Sequence, residues 1–228
     1  MAHSIATNLY EKYKDTKSKQ EIKEMIQNAL VNIRFNDGRG YFFVYSLDYE
    51  CILLPVARHL EGKSFYNFKD GKGTYLTRKI VKQMKKEKEG YLNWWYHKPQ
   101  DMKKQYEKIG FNKYFEPLDW FIGTGEYVKD FEETVKSSVT ARLSTYTYSK
   151  DGYVFIFDKN MITLAHPNRE EVGQNKKGFQ DRNGVKVTKE IFKTAHEKED
   201  GGFVKYTFNK QSINKEIEKI SYVMKIQD

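Results

Sequence analysis

Residues 40–50 read GYFFVYSLDYE, and residues 152–162 read GYVFIFDKNMI. The two stretches begin 112 residues apart (152 − 40), and over their first six residues every hydrophobic position of one meets a hydrophobic position of the other. Alternation along a strand puts Phe42 and Val44 on one face and Tyr41, Phe43 and Tyr45 on the other. The second copy divides the same way, Val154 and Ile156 against Tyr153, Phe155 and Phe157. One face is partly aliphatic and suits a packed helix. The other is aromatic in both copies, and phenol-bearing rings can wall a small-molecule cavity because they combine apolar surface with donors.

The likeness continues downstream, as an internal repeat does. Pro55 meets Pro167 at the same spacing; after a one-residue gap Gly62 meets Gly173, Phe68 meets Phe179, Asp70 meets Asp181, Gly73 meets Gly184 and Ile80 meets Ile191. Gly90-Tyr91-Leu92-Asn93-Trp94 meets Gly202-Phe203-Val204-Lys205-Tyr206, and Lys108-Ile109 meets Lys219-Ile220. The first copy then runs on into Trp120-Phe121-Ile122-Gly123-Thr124-Gly125, whereas the second reaches Asp228 with no such strand. The chain is therefore expected to hold two modules, 36–126 and 148–228, preceded by a helix in 1–35 and joined by a linker helix at 127–147.

Between these landmarks the pattern predicts one long helix over 4–33, although Lys14 to Gln20 is polar. Strands are expected at Tyr41 to Ser46, Cys51 to Pro55, Tyr91 to His97, Tyr106 to Phe115 and Trp120 to Gly125, with a turn at Pro99 and Gln100. A helix is expected over 74–88, closed by Gly90. A long lone helix at 4–33 needs something to lie against, either the next module or another subunit in a homodimer.

Composition narrows the function. Across 228 residues, 40 Lys and Arg face 31 Asp and Glu, a net charge of +9. Only seven of the forty are Arg and the lysines are dispersed, which reads as a solvated surface rather than a nucleic-acid stripe. The single cysteine, Cys51, excludes an internal disulfide and a cysteine zinc site. No run approaches 18 apolar residues, so a membrane-anchored parent would carry its anchor elsewhere. Catalytic motifs are missing: there is no His-Glu-x-x-His, Gly-x-Ser-x-Gly, phosphate loop or Cys-x-x-Cys. The acidic residues Asp48, Asp70 and Asp181 sit where turns want Asp for its own backbone bonding. No metal or cofactor is expected.

The stretch Arg34-Phe35-Asn36-Asp37-Gly38-Arg39-Gly40-Tyr41-Phe42-Phe43-Val44-Tyr45 resembles the opening of Cache domains of the second single type. Gly62-Lys63, Asp70-Gly71 and above all Trp120-Phe121-Ile122-Gly123-Thr124-Gly125-Glu126-Tyr127 fit the same pattern. In the second copy Leu164-Ala165-His166-Pro167, Gly173 and Lys219-Ile220-Ser221-Tyr222-Val223 do so too. The first copy departs from the family in having Leu54-Pro55 where His-Pro is usual.

The resemblance covers about residues 20–228 and implies an α+β, PAS-like fold: antiparallel sheets with helices behind and a pocket in front, here twice, the second module lacking its last strand. It also implies the extracytoplasmic (periplasmic) sensor of a bacterial chemoreceptor or sensor kinase, non-enzymatic, binding a small molecule such as a short carboxylate or amino acid. Candidate ligand residues are then Tyr41, Phe43, Tyr45, Arg58, His59, Tyr66, Trp95, Lys113 and, in the second copy, His166. Arg58, His59 and Lys113 would supply charge-assisted donors to a carboxylate. The competing reading is a docking module for a periplasmic protein, without a small ligand.

Overall fold

The computed structural model describes residues 1–98, 100–148, 151–197, 199–210 and 215–226. Its contacts divide the chain into two compact units, Met1–Thr134 and Val135–Asp228. No helix among the described residues is long and apolar enough to cross a membrane.

In the first unit the N-terminal segment is two helices rather than one, α1 (Ala2–Tyr13) and α2 (Lys19–Leu30). Ser18 makes the break. Its hydroxyl accepts from the Glu21 backbone N–H at 3.2 Å, while the Glu21 carboxylate accepts from the Ser18 N–H at 2.9 Å. This reciprocal cap satisfies donors that a new helix start would leave bare, and the polar Lys14–Lys17 stretch has no apolar face to bury. Both helices turn their apolar sides, Ala2 and Ala6, then Ile22, Ile26 and Leu30, onto the same sheet. The apolar sides of both helices thus lie against the sheet of their own unit.

The sheet has five antiparallel strands: β1 (Phe42–Ser46), β2 (Cys51–Leu53), β3 (Glu89–Lys98), β4 (Asp101–Phe115) and β5 (Trp120–Tyr127), in the spatial order β2-β1-β5-β4-β3. Its rear face carries Phe42, Val44, Leu53, Phe115, Trp120 and Ile122 against α1 and α2. The front face carries Tyr41, Phe43, Tyr45, Trp94 and Phe121 against α3 (Leu76–Glu87), which presents Leu76, Ile80, Val81 and Met84. The helix ends earlier than its sequence suggests: Lys88 adopts the left-handed conformation (φ 66°) and Gly90 already belongs to β3. Gln100 lies in the turn between β3 and β4, and Pro99 lies outside the described residues.

From β5 the chain passes directly into α4 (Val128–Ser144). The second unit contains β6 (Thr147–Tyr148) paired with β7 (Gly152–Tyr153), β8 (Ile156–Phe157) paired with β9 (Thr163–Ala165), then α5 (Val187–Glu197) and the hairpin β10 (Gly202–Lys210) with β11 (Lys215–Val223). The expected strand at 153–157 is thus split in two. Among the described residues these pairs do not merge into one sheet. In the first unit β5 hydrogen-bonds to β1 on one side and β4 on the other, and so joins the hairpins into one sheet.

The repeat is nonetheless kept at the level of single hydrogen bonds. Asp70 Oδ1 accepts from the N–H groups of Lys72 and Thr74 at 2.9 Å each, and its Oδ2 from Trp95 N–H at 3.3 Å. Asp181 Oδ1 accepts from Asn183 and Val185 at 2.9 Å each, and its Oδ2 from Thr207 N–H at 3.0 Å. In each unit one carboxylate closes a turn and ties it to the strand that carries the front-face rings.

Ile26 is fully buried between α2 and the sheet, so Ile26→Ala is expected to cost about 2–5 kcal/mol. Thr16→Ala, in the exposed link between the helices, is expected to stay within about 0.5 kcal/mol. Urea unfolding of the two variants beside the wild type measures both.

Candidate functional site

The front face of the sheet holds the cavity. Pairing puts Phe43 beside Gly123, Asn112 beside Gly123 on the other side, and Lys108 between Trp94 and Tyr127. The glycines matter sterically: a Cβ on Gly110 would lie 2.0 Å from the Trp94 indole, and one on Gly123 would lie 2.3 Å from the Phe43 ring. The floor is therefore bare backbone over which the two rings lie. Walls come from Tyr41, Tyr45, Phe65, Phe68, Tyr96 and Phe121, and the roof from Leu54 and from Leu76, Thr77 and Ile80 of α3. About 30 Å³ is left for the centres of water-sized molecules, enough for one or two waters.

One charge faces this aromatic enclosure. Lys108 is 1% exposed, and its ammonium donates to the Tyr41 hydroxyl at 3.3 Å. It also stands 4.7 Å from the centre of the Tyr41 ring and 4.4 Å from that of Tyr127. Burial pulls it down from an ordinary lysine value to about 8, opposed only by the field of Glu126. Glu126 is itself engaged with the Asn36 amide at 2.7 Å and the Arg39 guanidinium at 3.5 Å. Among the described residues no carboxylate forms an ion pair with Lys108. A buried cation compensated by ring faces and one hydroxyl is short of the anion that would satisfy it. Four residues along β4 from it, Asn112 is fully buried, and among the described residues neither its amide nitrogen nor its oxygen has a hydrogen-bond partner. The surrounding phenols are held protonated by burial, Tyr41 and Tyr45 most strongly and Tyr96 up to about 12. They act here as neutral hydrogen-bonding groups. The Cys51 thiol behind Tyr45 is pushed up to about 12 by its burial and has no thiolate character at neutral pH.

The residues singled out from sequence fall into two groups. Tyr41, Phe43 and Tyr45 line the cavity together. Arg58 and His59 lie outside it, in a short turn at 58–60; the Arg58 guanidinium pairs with Glu61 at 2.8 Å and borders a separate polar hollow with Glu24, Gln27 and Asn28. Tyr66 is exposed and stacks under the Arg78 guanidinium at 3.8 Å. Trp95 is on the opposite side of β3 from the cavity, with the Lys72 ammonium 4.6 Å from its ring, because Trp94 and Tyr96 take the inward positions. Lys113 pairs at the surface with Glu89 at 2.5 Å. His166 belongs to the second unit, edge-on to Tyr153 with ring centres 4.9 Å apart.

Lys108, Trp94, Tyr96, Tyr127 and Asn112 were not singled out. A usable signal existed for Lys108: the Lys-Ile pair recurs at 219–220, although charge is scattered over both faces of β4.

A lysine whose folded-state value lies near 8 but whose unfolded value is ordinary makes the unfolded chain bind more protons between those limits. Stability therefore rises with pH from about 8 upward through that group. Lys108→Met is expected to raise the stability of the ligand-free protein at pH 7, by about 1–4 kcal/mol, and to flatten the rise between pH 8 and 9.5. Paired denaturant titrations across that range check both.

The family model of the Cache domain matches residues 1–228. A sensor histidine kinase, MctS, of Rhizobium johnstonii (strain DSM 114642 / LMG 32736 / 3841) is 33% identical over 96 residues, which cover 42% of this chain and 20% of the kinase. The match thus spans about a fifth of that relative's length. Of solved structures, a periplasmic sensor domain of a chemotaxis protein superposes with a TM-score of 0.53 at 24% identity, over 56% of this chain and 88% of that one. A Cache chemosensory domain described for its carboxylic acid recognition superposes with a TM-score of 0.51 at 21% identity, over 55% of this chain and 88% of that one. Both likenesses concern the sheet-and-helix fold already described. The chain is a member of the Cache domain family.

Proposed function

We propose that the chain is the extracytoplasmic sensing part of a membrane-anchored bacterial receptor or kinase, built of tandem modules, and that the front cavity of the first unit binds a short carboxylate. The observation that carries this reading is Lys108: a fully buried ammonium in an aromatic enclosure with no ion-pair partner among the described residues. A carboxylate seated there would receive a charge-assisted bond from Lys108 and a hydroxyl bond from Tyr41, with Asn112 as a further donor. The small free volume and the ring walls favour a ligand of few atoms with an apolar tail. The Cache chemosensory domain described for its carboxylic acid recognition lends the same reading support by analogy of fold.

The route from binding to output is short. Tyr127, against which Lys108 stands, is the last residue of β5, and α4 begins at the next residue. The Tyr127 hydroxyl donates to the His97 carbonyl, and Lys98 pairs with Asp130 in the first turn of α4 at 2.5 Å. An anion drawing Lys108 toward itself changes what Tyr127 packs against, and with it the start of α4. The roof residues of α3 close over the same ligand. Such closure shifts a population between two arrangements, as ligand-driven switching requires.

A thermal-shift and calorimetric series with acetate, propionate, lactate and pyruvate, with ethylamine as the cationic control, tests the assignment. An upward shift with a carboxylate is expected, absent with ethylamine, lost in Lys108→Met and reduced in Tyr41→Phe. Arg58→Ala and Lys113→Ala are expected to leave it unchanged. A shift that survives Lys108→Met but not Arg58→Ala would move the site to the hollow beside α2. Affinity is further expected to fall about tenfold per pH unit above about 8, as the free ammonium is titrated.

A further inference from the structure

The excess positive charge of the chain has a direction in the fold. Residues 61–88 hold nine Lys and Arg against three acids, a net charge of +6 out of the chain's +9. They form α3 and the loop before it, within the first unit. Leu76, Ile80, Val81 and Met84 of α3 face the sheet, so Lys79, Lys82, Lys85 and Lys86, at helical steps of three and four, run along the opposite side. These and the other four lysines of the segment are all exposed. The three acids offset little of this. Glu61 pairs with Arg58, Asp70 is buried in its turn, and Glu87 accepts from the Gln83 amide at 3.1 Å with only the Lys86 ammonium near it, at 3.9 Å. Among the described residues Lys79, Lys82 and Lys85 form no ion pair.

The fold does not require these charges. At a spacing of 111 (190 − 79), α5 repeats the core of α3: Val187, Thr188 and Ile191 are buried, as Leu76, Thr77 and Ile80 are. Its outer positions are different in kind. Glu190, His196 and Glu197 stand where α3 has Lys79, Lys85 and Lys86, and Lys193 pairs with Glu197 at 3.7 Å. Like charges three and four residues apart repel, so α3 carries a cost that α5 avoids.

The residue types on this face narrow what it meets. Protein interfaces are poor in Lys and rely on Arg and aromatic anchors. The one Arg of the segment, Arg78, is already held: its guanidinium lies 3.8 Å from the ring centres of both Tyr66 and Tyr75 and donates to the Tyr66 carbonyl and the Asn67 side chain. The same sandwich occupies ring faces on which the bases of a single-stranded nucleic acid would stack. What the face offers is a row of compact ammonium charges without a rigid fork, suited to a plane of many phosphates.

We infer that the outer face of α3 docks on a bilayer surface bearing anionic phospholipid headgroups, its lysine stems lying along the surface and their ammonium groups among the phosphates. The inference needs no ligand in the front cavity.

Sedimentation of the whole chain with vesicles tests it. Vesicles of phosphatidylcholine and phosphatidylglycerol in equal parts are expected to retain the wild type at about 0.05 M salt and release it at about 0.5 M, and phosphatidylcholine alone is expected not to retain it. The variant Lys79→Gln/Lys82→Gln/Lys85→Gln is expected to lower the partition coefficient about 100-fold, at about fivefold for each lysine. Lys159→Gln/Lys189→Gln/Lys205→Gln removes the same charge from exposed positions of the second unit and is expected to change it less than about threefold. All six lysines are exposed, so both variants keep the fold. Equal losses in the two variants would reduce the effect to net charge and overturn the inference. Retention by phosphatidylcholine alone, indifferent to salt, would overturn it too. So would a wild type that binds polyglutamate or oligothymidylate but not the mixed vesicles, which would give the face to an acidic protein or a nucleic acid, or one that binds none of them.

Discussion

The hydrogen-bonding of β5 between β1 and β4 is the constraint from which the first unit follows. The last strand in sequence takes the middle place in the sheet, so the hairpins β1-β2 and β3-β4 become one surface only when it arrives. Its rear-facing Trp120 and Ile122 meet the helices, its Phe121 joins the front-face core, and Gly123 and Gly125 leave bare backbone under the rings of Phe43 and Trp94. Its end, Tyr127, supports Lys108 and delivers the chain to α4. Sheet continuity, cavity floor and exit helix are one structural fact. The second unit keeps the same turn anchor, and among the described residues its strands form separate two-stranded pairs.

Within that frame Lys108 is placed against stability. A charge sealed among rings has lost its hydration, and hydroxyl and cation–π contacts return only part of that free energy. A packing argument would put Leu or Met there. Uncompensated burial of a charge, together with an amide at Asn112 that has no partner among the described residues, is a local disagreement of the kind that clusters at functional sites. The exposed pairs Arg58–Glu61 and Lys113–Glu89 show the opposite case. Each is internally neutralised and screened by water, and neither has a free field to offer an anion.

What could be read in advance depended on whether a signal was local. The two faces of β1 were legible because alternation is a property of the strand itself: Tyr41, Phe43 and Tyr45 line the cavity, and Phe42 and Val44 meet the helices. The roles of Asp70 and Asp181 in their turns were legible for the same reason. The phase of β3 was not. Alternation divides Trp94 from Trp95 without saying which goes inward; that is settled by the register of Trp94 against Lys108 and by the Asp70 bond to the Trp95 amide, both non-local. The helix break at Ser18 had a local signature, Ser followed three residues later by Glu, which the apolar periodicity on either side masked. Loop position made Arg58 and His59 attractive as donors, but the turn at 58–60 carries them outward.

The repeat adds information that one copy alone lacks. Dispersed lysines carry no message in a chain with forty basic residues, yet Lys108 and Lys219 sit in the same phase, each bonded to the tyrosine that opens its copy. Around that shared pair the polar complement has moved. The first unit has Leu54 on the cavity wall and a buried Asn112 farther along β4; at the equivalent positions of the second unit stand His166 and Val223. Divergence at these two positions, with cation, phenol and rings retained, changes the polar surroundings of the shared pair without altering the strands that carry it.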